Sequence, residues 1–344
     1  MGLGVFATKD IPAGTLLFSE RPLMWFAVDD TVNSDNWNEV LVPNVEACFS
    51  NLSFDDKERF LSMRHPNKDH VNFSSKADAF DYNKYQITPP TGDIVHGMYP
   101  LASRFNHSCF HNVFQRCLAD GPTARIMECS TIAFVSKGEE LTTTYIGDSE
   151  YMDSELRKCH FDTCLCNFCV NATPTEKTIS DMRRRLLAGL RNLQYSSANE
   201  IGGEAGMERL MNSNPKKHEW KRLHTHCGKM SLYCTLAAYI AEAEGLNGLF
   251  VSEQWRQAAR LLVPAGLTRR HALPITTADQ LSTLSTYVRT WTTKYMNKAI
   301  AHARRSDAAE ARDCEAEKDN IAFQVIIMQN SPLYTGSLGR QAHS

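Results

Sequence analysis

The sequence has no apolar run near the roughly 20 residues that a membrane-spanning helix needs, so a membrane-embedded class is not expected. It has almost no charge imbalance: 37 Lys+Arg stand against 39 Asp+Glu, for a formal net charge of -2. That balance gives no general argument for binding nucleic acid or an anionic membrane surface. Two phosphate-cradling patterns are missing, the Gly-x-x-x-x-Gly-Lys-Ser/Thr loop and a strand-linked Gly-x-Gly-x-x-Gly. Residues 1–12 lack the basic-then-apolar texture of a secretory signal. Residues 29–94 hold a single cysteine, Cys48, so no Cys/His array of zinc-finger spacing is expected there. No clean 34-residue period runs through the C-terminal half, so a tetratricopeptide array is at most degenerate.

What is present is more informative. A chain of 344 residues can bury a sizeable core and suggests two domains. Eleven cysteines without a signal pattern argue for a reducing compartment, where clustered thiols more often mean metal than disulfides. In that setting the glycosylation-like triplets at Asn51, Asn72 and Asn171 are expected to be chance.

Three stretches carry the chemistry. The first is Arg104-Phe105-Asn106-His107-Ser108-Cys109-Phe110-His111-Asn112, a run of small polar groups with little use in a helix or strand core. The second is Gly138-Glu139-Glu140-Leu141, followed by Thr142-Thr143-Thr144-Tyr145. The third is Cys164-Leu165-Cys166-Asn167-Phe168-Cys169. Three thiolates this close can share one ion, and softness with tetrahedral demand favours zinc. A closed structural site needs a fourth ligand. Cys159 or His160 would make a self-contained knuckle, and Cys109 would tie the first stretch to the third.

In this order, with Gly2-Leu3-Gly4 at the front, the motifs resemble those of the SET-domain protein lysine methyltransferases, most closely the SET-and-MYND group and its fungal relatives. The resemblance covers about residues 1 to 170. It implies a β-rich SET domain over 1–150 with a mixed insert at 29–94 and a zinc-bearing post-SET segment at 151–173; with an all-helical C-terminal domain over 174–344, read from the helical spacing beyond Pro174, the expected fold is α+β. The resemblance implies S-adenosyl-L-methionine as cofactor, with contacts at Gly2, Leu3, Gly4, Asn83, Ser103, Phe105, Asn106, His107 and Tyr145. It implies Tyr145 as the catalytic residue, and a structural Zn2+ held by Cys109, Cys164, Cys166 and Cys169. The reaction implied is methyl transfer to a lysine side chain of a protein substrate, histone or non-histone, by a monomeric nuclear or cytoplasmic enzyme that binds neither membrane nor nucleic acid directly.

The sequence departs from that pattern in places. The MYND finger is not expected, given the cysteine-poor insert. The aromatic residue that stacks on adenine in such enzymes falls at Asp162 in register; the stacking role passes to Phe161 if Thr163 is an insertion. His111 stands where a proline is usual, and Asn112 is kept. The sequence opens on the Gly-x-Gly motif itself, as a trimmed chain or truncated gene would. Two rival readings follow: a catalytically silent SET fold serving as a binding module, and a zinc-dependent hydrolase. The second needs an open coordination position that four cysteine ligands do not leave.

Element expectations are coarse. Residues 1–22 read as a short strand pair, with Thr15–Phe18 as its second strand. Asn38–Ser50 and Phe54–Met63 read as helices, broken at Pro66–His70. Thr123–Cys129, Ile132–Val135 and Leu141–Ile146 read as strands. Beyond Pro174, Met182, Leu186, Leu190 and Leu193 recur at helical spacing, as do Leu281, Leu284, Val288, Trp291 and Tyr295. Leu232–Ala243 and Gln254–Leu262 also read as helical. Arg183-Arg184-Arg185 reads as a solvated helix face.

Overall fold

The structure, a computed structural model, describes residues 4–28, 32, 36–63, 75–87, 94–118, 125–160, 163–201, 206, 209, 217–272 and 278–330. The chain divides into two units, Met1–Tyr145 and Ile146–Ser344.

The first unit is built from short strands, as its brief β-branched and aromatic runs between turns dictate. In chain order these are β1 (Val5–Phe6), β2 (Leu16–Glu20), β3 (Met24–Val28), β4 (Lys84–Ile87), β5 (Ile94–Met98), β6 (Asn106–His107), β7 (Val113–Leu118), β8 (Ile126–Thr131) and β9 (Glu140–Thr143). They form three-stranded sheets in the orders β1-β9-β6, β2-β8-β7 and β3-β5-β4. The expected pairing within residues 1–22 is not found. β1 pairs antiparallel with β9, Val5 opposite Leu141, and β2 pairs antiparallel with β8, Glu20 opposite Met127. The turn at Pro12–Gly14 therefore carries the chain from one sheet to another.

Ile132–Val135 is not a strand either. Ile132 and Val135 are buried while Phe134 is exposed, and the only ladder contact among them is an isolated bridge from Val135 to Ile11. Apolar residues here plug the core from a bend. Ala7, Val95, Tyr99, Phe105, Val113, Met127, Cys129 and Leu141 share one apolar cluster beneath the sheets.

The insert packs α1 (Trp37–Ser50), α2 (Phe54–Leu61) and α3 (Ser75–Asn83) on β3 and β5, around Phe26, Val45, Phe60, Phe80 and Met98. The Ser53 hydroxyl caps α2, accepting from the Asp56 amide at 3.1 Å. The expected break at Pro66–His70 lies outside the described residues.

The second unit is helical: α4 (Ser154–Lys158), α5 (Asn167–Asn171), α6 (Pro174–Ile201), α7 (Lys217–Glu244), α8 (Leu249–Ala272), α9 (Ala278–Ala303) and α10 (Ala308–Asn330). A capping box starts α6. The Thr173 amide and hydroxyl both donate to Glu176 Oε2 at 2.7 Å, and the Glu176 amide donates back to Thr173 Oγ1 at 3.3 Å. Pro174 then takes the first helical position, where its missing N–H costs nothing. Trp255, Ala238, Val251, Leu284, Val288 and Met296 lie in the core of α7, α8 and α9.

Two helical readings change. The helix α6 exists, but Met182, Leu186 and Leu193 are exposed. Its buried face is instead Ser180, Arg184, Leu187 and Ser197. Arg184 is accordingly not solvated. Its Nε donates to Glu244 Oε1 at 2.8 Å, and its Nη1 donates to the Ser149 carbonyl at 2.6 Å. Ser180 Oγ also donates to Glu244. The pattern misleads because a buried arginine satisfied by a carboxylate can occupy the face that periodicity reserves for leucine.

Candidate active site

The site grows from two short strands that run side by side. β6 is only Asn106 and His107, and it pairs parallel with β9, Asn106 opposite Thr142 and His107 opposite Thr143. Gly138, with φ at 86°, supplies the left-handed turn that launches β9. The Gly138 amide donates to the Ala7 carbonyl at 2.8 Å, so the same turn brings β1 alongside.

Asn112 locks this arrangement. Its Nδ2 donates to the Glu140 carbonyl at 2.9 Å, its Oδ1 accepts from the Thr142 amide at 2.8 Å, and its own amide donates to the Thr142 carbonyl at 3.2 Å. A buried side chain thus mimics a backbone partner for a strand otherwise short of one. Ser108 adds a further rung, its amide donating to the Thr143 carbonyl at 2.8 Å.

Gly4 shows why the opening motif is glycine-rich. A Cβ there would lie 2.1 Å from Glu140 Oε1 and 3.0 Å from Asn106 Nδ2. Those two groups are bonded to each other, Asn106 Nδ2 donating to Glu140 Oε1 at 2.6 Å. A bare backbone thus runs directly beside a polar pair, a cradle that any side chain at residue 4 would fill.

Tyr145 is fixed from two directions. Its backbone amide donates to His107 Nδ1 at 3.1 Å, and its phenol donates to the Phe105 carbonyl at 2.5 Å. The His107 and Tyr145 ring centroids are 5.6 Å apart. The phenol proton is thereby committed to a carbonyl, and Tyr145 is 53% exposed. That arrangement can orient a cation or an N–H group.

The structure therefore brings together Gly4, Phe105, Asn106, His107 and Tyr145 in the first unit. Ser103 lies just upstream, its hydroxyl donating to the Asn83 carbonyl at 2.9 Å, while Asn83 Nδ2 donates to the Ala79 carbonyl at 2.8 Å. Gly2, Leu3 and Phe161 lie outside the described residues. Sequence reasoning assigned no role to Glu140, Asn112 or Gln115. Glu140 sits inside a quoted motif, and its position opposite Phe6 on β9 is the signal that it borders the glycine backbone.

In the second unit, Cys164, Cys166 and Cys169 place their sulfurs within 4.8 Å of one another, with Cys166 buried. In the first unit Cys109 is buried beside His107, its Sγ 3.5 Å from His107 Nε2. Three thiols as close as those of the second unit are a donor set suited to a metal ion, and thiolate clusters are the chemistry of structural zinc. Three buried thiols are of another kind: burial pushes Cys129, Cys227 and Cys234 up to about 12, which leaves them inert packing groups.

The comparisons agree with this geometry. The family model of the SET domain matches residues 2–146. Over 191 residues the chain is 29% identical to the histone-lysine N-methyltransferase set5 of Schizosaccharomyces pombe, an overlap of 54% of this chain and 53% of that protein. The chain spans about half the length of this curated relative. Among the described residues, no helix is long and apolar enough to cross a membrane.

Proposed function

We propose that this chain is an S-adenosylmethionine-dependent protein-lysine N-methyltransferase with Tyr145 at its reaction centre. The observation that carries the reading is the double anchoring of Tyr145, its phenol on the Phe105 carbonyl and its amide on His107. The SET domain and the relative's printed activity support it. Lysine-bearing proteins, histones among them, are the proposed substrates, and nucleus and cytoplasm the proposed compartments.

The residues fit the cofactor chemically. Such a cofactor supplies a methyl group on a cationic sulfonium. The bare backbone at Gly4 and the amides of Asn106 and His107 offer neutral polar contacts, and the phenol oxygen of Tyr145 offers a negative dipole suited to a cation. Gly2, Leu3, Asn83, Ser103, Phe105 and Phe161 complete the proposed binding set. Cys109, Cys164, Cys166 and Cys169 would hold a structural zinc ion, whose binding adds to folding free energy directly.

The amine presents the harder problem. A lysine ammonium has an ordinary pKa near 10.4, so about one in a thousand is neutral at pH 7. The phenol lone pairs of Tyr145 receive an amine N–H and so align the nitrogen lone pair for in-line attack, and a nearby positive charge favours loss of the proton to solvent. Positioning supplies much of such a displacement.

The purified chain is incubated with a cell lysate and radiolabelled S-adenosylmethionine, beside Tyr145→Phe. Label on lysine that is lost in the variant supports the assignment; equal labelling by both proteins overturns it. Calorimetry separates the silent module, for which no cofactor binding at high micromolar concentration is expected. Metal analysis is expected to find one zinc per chain, lowered in Cys166→Ser.

A further inference from the structure

Strand β2 ends in a carboxylate that turns inward. Glu20 is 8% exposed, although the sequence around it, Ser19-Glu20-Arg21-Pro22, reads as an exposed strand end. Its Oε1 accepts from the Leu101 amide at 2.9 Å, and its Oε2 accepts from the Leu101 and Ala102 amides at 3.0 Å each. These amides begin the short 3-10 turn Ala102–Arg104. Burial pushes the Glu20 carboxyl up, while the two backbone amides and then the Arg59 charge pull it back. Desolvating a carboxylate is expensive, and a neutral Ser or Asn would satisfy the same amides at lower cost.

The other face of the same residue is gripped as firmly. The Ala102 carbonyl accepts from the Tyr85 phenol at 2.8 Å and from Gln115 Nε2 at 3.3 Å. Gln115 Nε2 also donates to the Tyr85 oxygen at 2.9 Å, and Gln115 Oε1 accepts from Thr143 Oγ1 at 3.1 Å. Side chains from β2, β4 and β7 therefore clamp one fully buried backbone residue through both its N–H and its C=O, and the last of them is tied to β9. The turn so held runs straight into Phe105, whose carbonyl receives the Tyr145 phenol.

We propose that Glu20 is a positioning residue of the transfer site: by fixing the Ala102–Arg104 turn it sets the Phe105 carbonyl on which Tyr145 is seated. This rests on the reading of the preceding section. Glu20 acts through the turn, its carboxylate accepting from the Leu101 and Ala102 amides together.

Apparent maximal rate and cofactor KM are measured with a fixed lysate as methyl acceptor for wild type, Glu20→Gln and Glu20→Ala. Gln keeps a carbonyl oxygen for the amides, and Ala keeps nothing. Glu20→Ala is expected to lower the maximal rate by about 10- to 100-fold, the scale of a small misplacement, with cofactor KM within about threefold. Glu20→Gln is expected to restore most of the rate. A Glu20→Ala protein as fast as wild type, beside an impaired Tyr145→Phe, overturns the inference and leaves the methyltransferase reading standing. If wild type itself transfers nothing, that reading fails first. Should Glu20→Ala not fold, Glu20→Gln combined with Tyr85→Phe takes its place: an unchanged rate overturns the inference, and a tenfold loss at constant KM supports it.

Discussion

The two units hold their polar side chains differently. In the first, buried side chains bond to backbone: Glu20 to Leu101 and Ala102, Asn112 to Glu140 and Thr142, Tyr85 to Ala102. In the second, Ser231, Ser252 and Thr292 likewise donate to backbone carbonyls, but ion pairs between side chains are added. Arg184 meets Glu244, Lys298 and His302 meet Glu242, and Arg256 and Arg260 meet Glu317. The difference follows from the backbone. Helices satisfy their own amides and carbonyls, so their charged side chains can pair with each other. The first unit has strands as short as Asn106–His107 and a 3-10 turn between them, and its orphaned backbone groups must be met by side chains. A site made of irregular backbone is thus positioned by polar residues that need not touch any substrate.

The comparison can be broken from its strongest point downward. Arg184→Met takes from the buried Glu244 its guanidinium partner at 2.8 Å and leaves Ser180 and the more distant Arg183, with side-chain exposures of 0% and 1% in the native Arg184–Glu244 pair. A loss of about 3–5 kcal/mol is expected, read by urea denaturation, and Arg184→Met with Glu244→Met should recover much of it. If the single variant costs nothing, the second unit does not depend on its ion pairs. Next, Tyr145→Phe is expected to lower methyl transfer about 100-fold, as for removal of one preorganised hydrogen-bonding group, without shifting the melting temperature. Asn112→Ala, on the backbone-bonding side, should cost about 1–3 kcal/mol through unsatisfied groups at Glu140 and Thr142, measured the same way.

A weaker effect concerns pH. Burial alone would raise the Glu317 carboxyl, but hydrogen bonds from Arg260 and Arg256 outweigh it and hold the group below its usual 4.5. Its contribution to stability is present above that value and lost as pH falls through the lower folded one. Acid titration of the melting temperature should therefore show a fall below about pH 4.5 that Glu317→Gln flattens. Smallest of all, Met182→Ser and Leu186→Ser on the exposed stripe of α6 should change stability by no more than about 0.5 kcal/mol; a large loss would mean that this stripe is covered after all.

Much of this architecture was legible in the residues. The strand expected at Thr15–Phe18, the helices expected at Asn38–Ser50 and Phe54–Met63 and most of the long helices beyond Pro174 follow from periodicity and turn chemistry; helices Ser75–Asn83 and Ala308–Asn330 were not read. Asn106 and His107 stood out as part of a small polar run with little use in a core, and Tyr145 only through the family resemblance. What was not legible is long-range. Nothing local says that Val5 seeks Leu141 and not its sequence neighbour on β2. Glu20, Gln115 and Arg184 look like ordinary surface residues until distant backbone or a distant carboxylate is placed beside them. The stripe at Met182, Leu186 and Leu193 failed for the converse reason: helical spacing marks one face without saying which face the tertiary structure will bury.

The pairing of Val5 with Leu141 has a consequence for how the chain is born. β1 leaves the ribosome without its ladder partner, which follows only when nearly the whole first unit has been synthesised. Until then its apolar residues must wait, exposed or transiently sheltered by a chaperone. Closing so large a loop delays the rate at which the native contact forms more than it weakens that contact once made. A stalled nascent chain ending before Glu140 would hold every residue of the Asn-His pair and still have no strand to set it against.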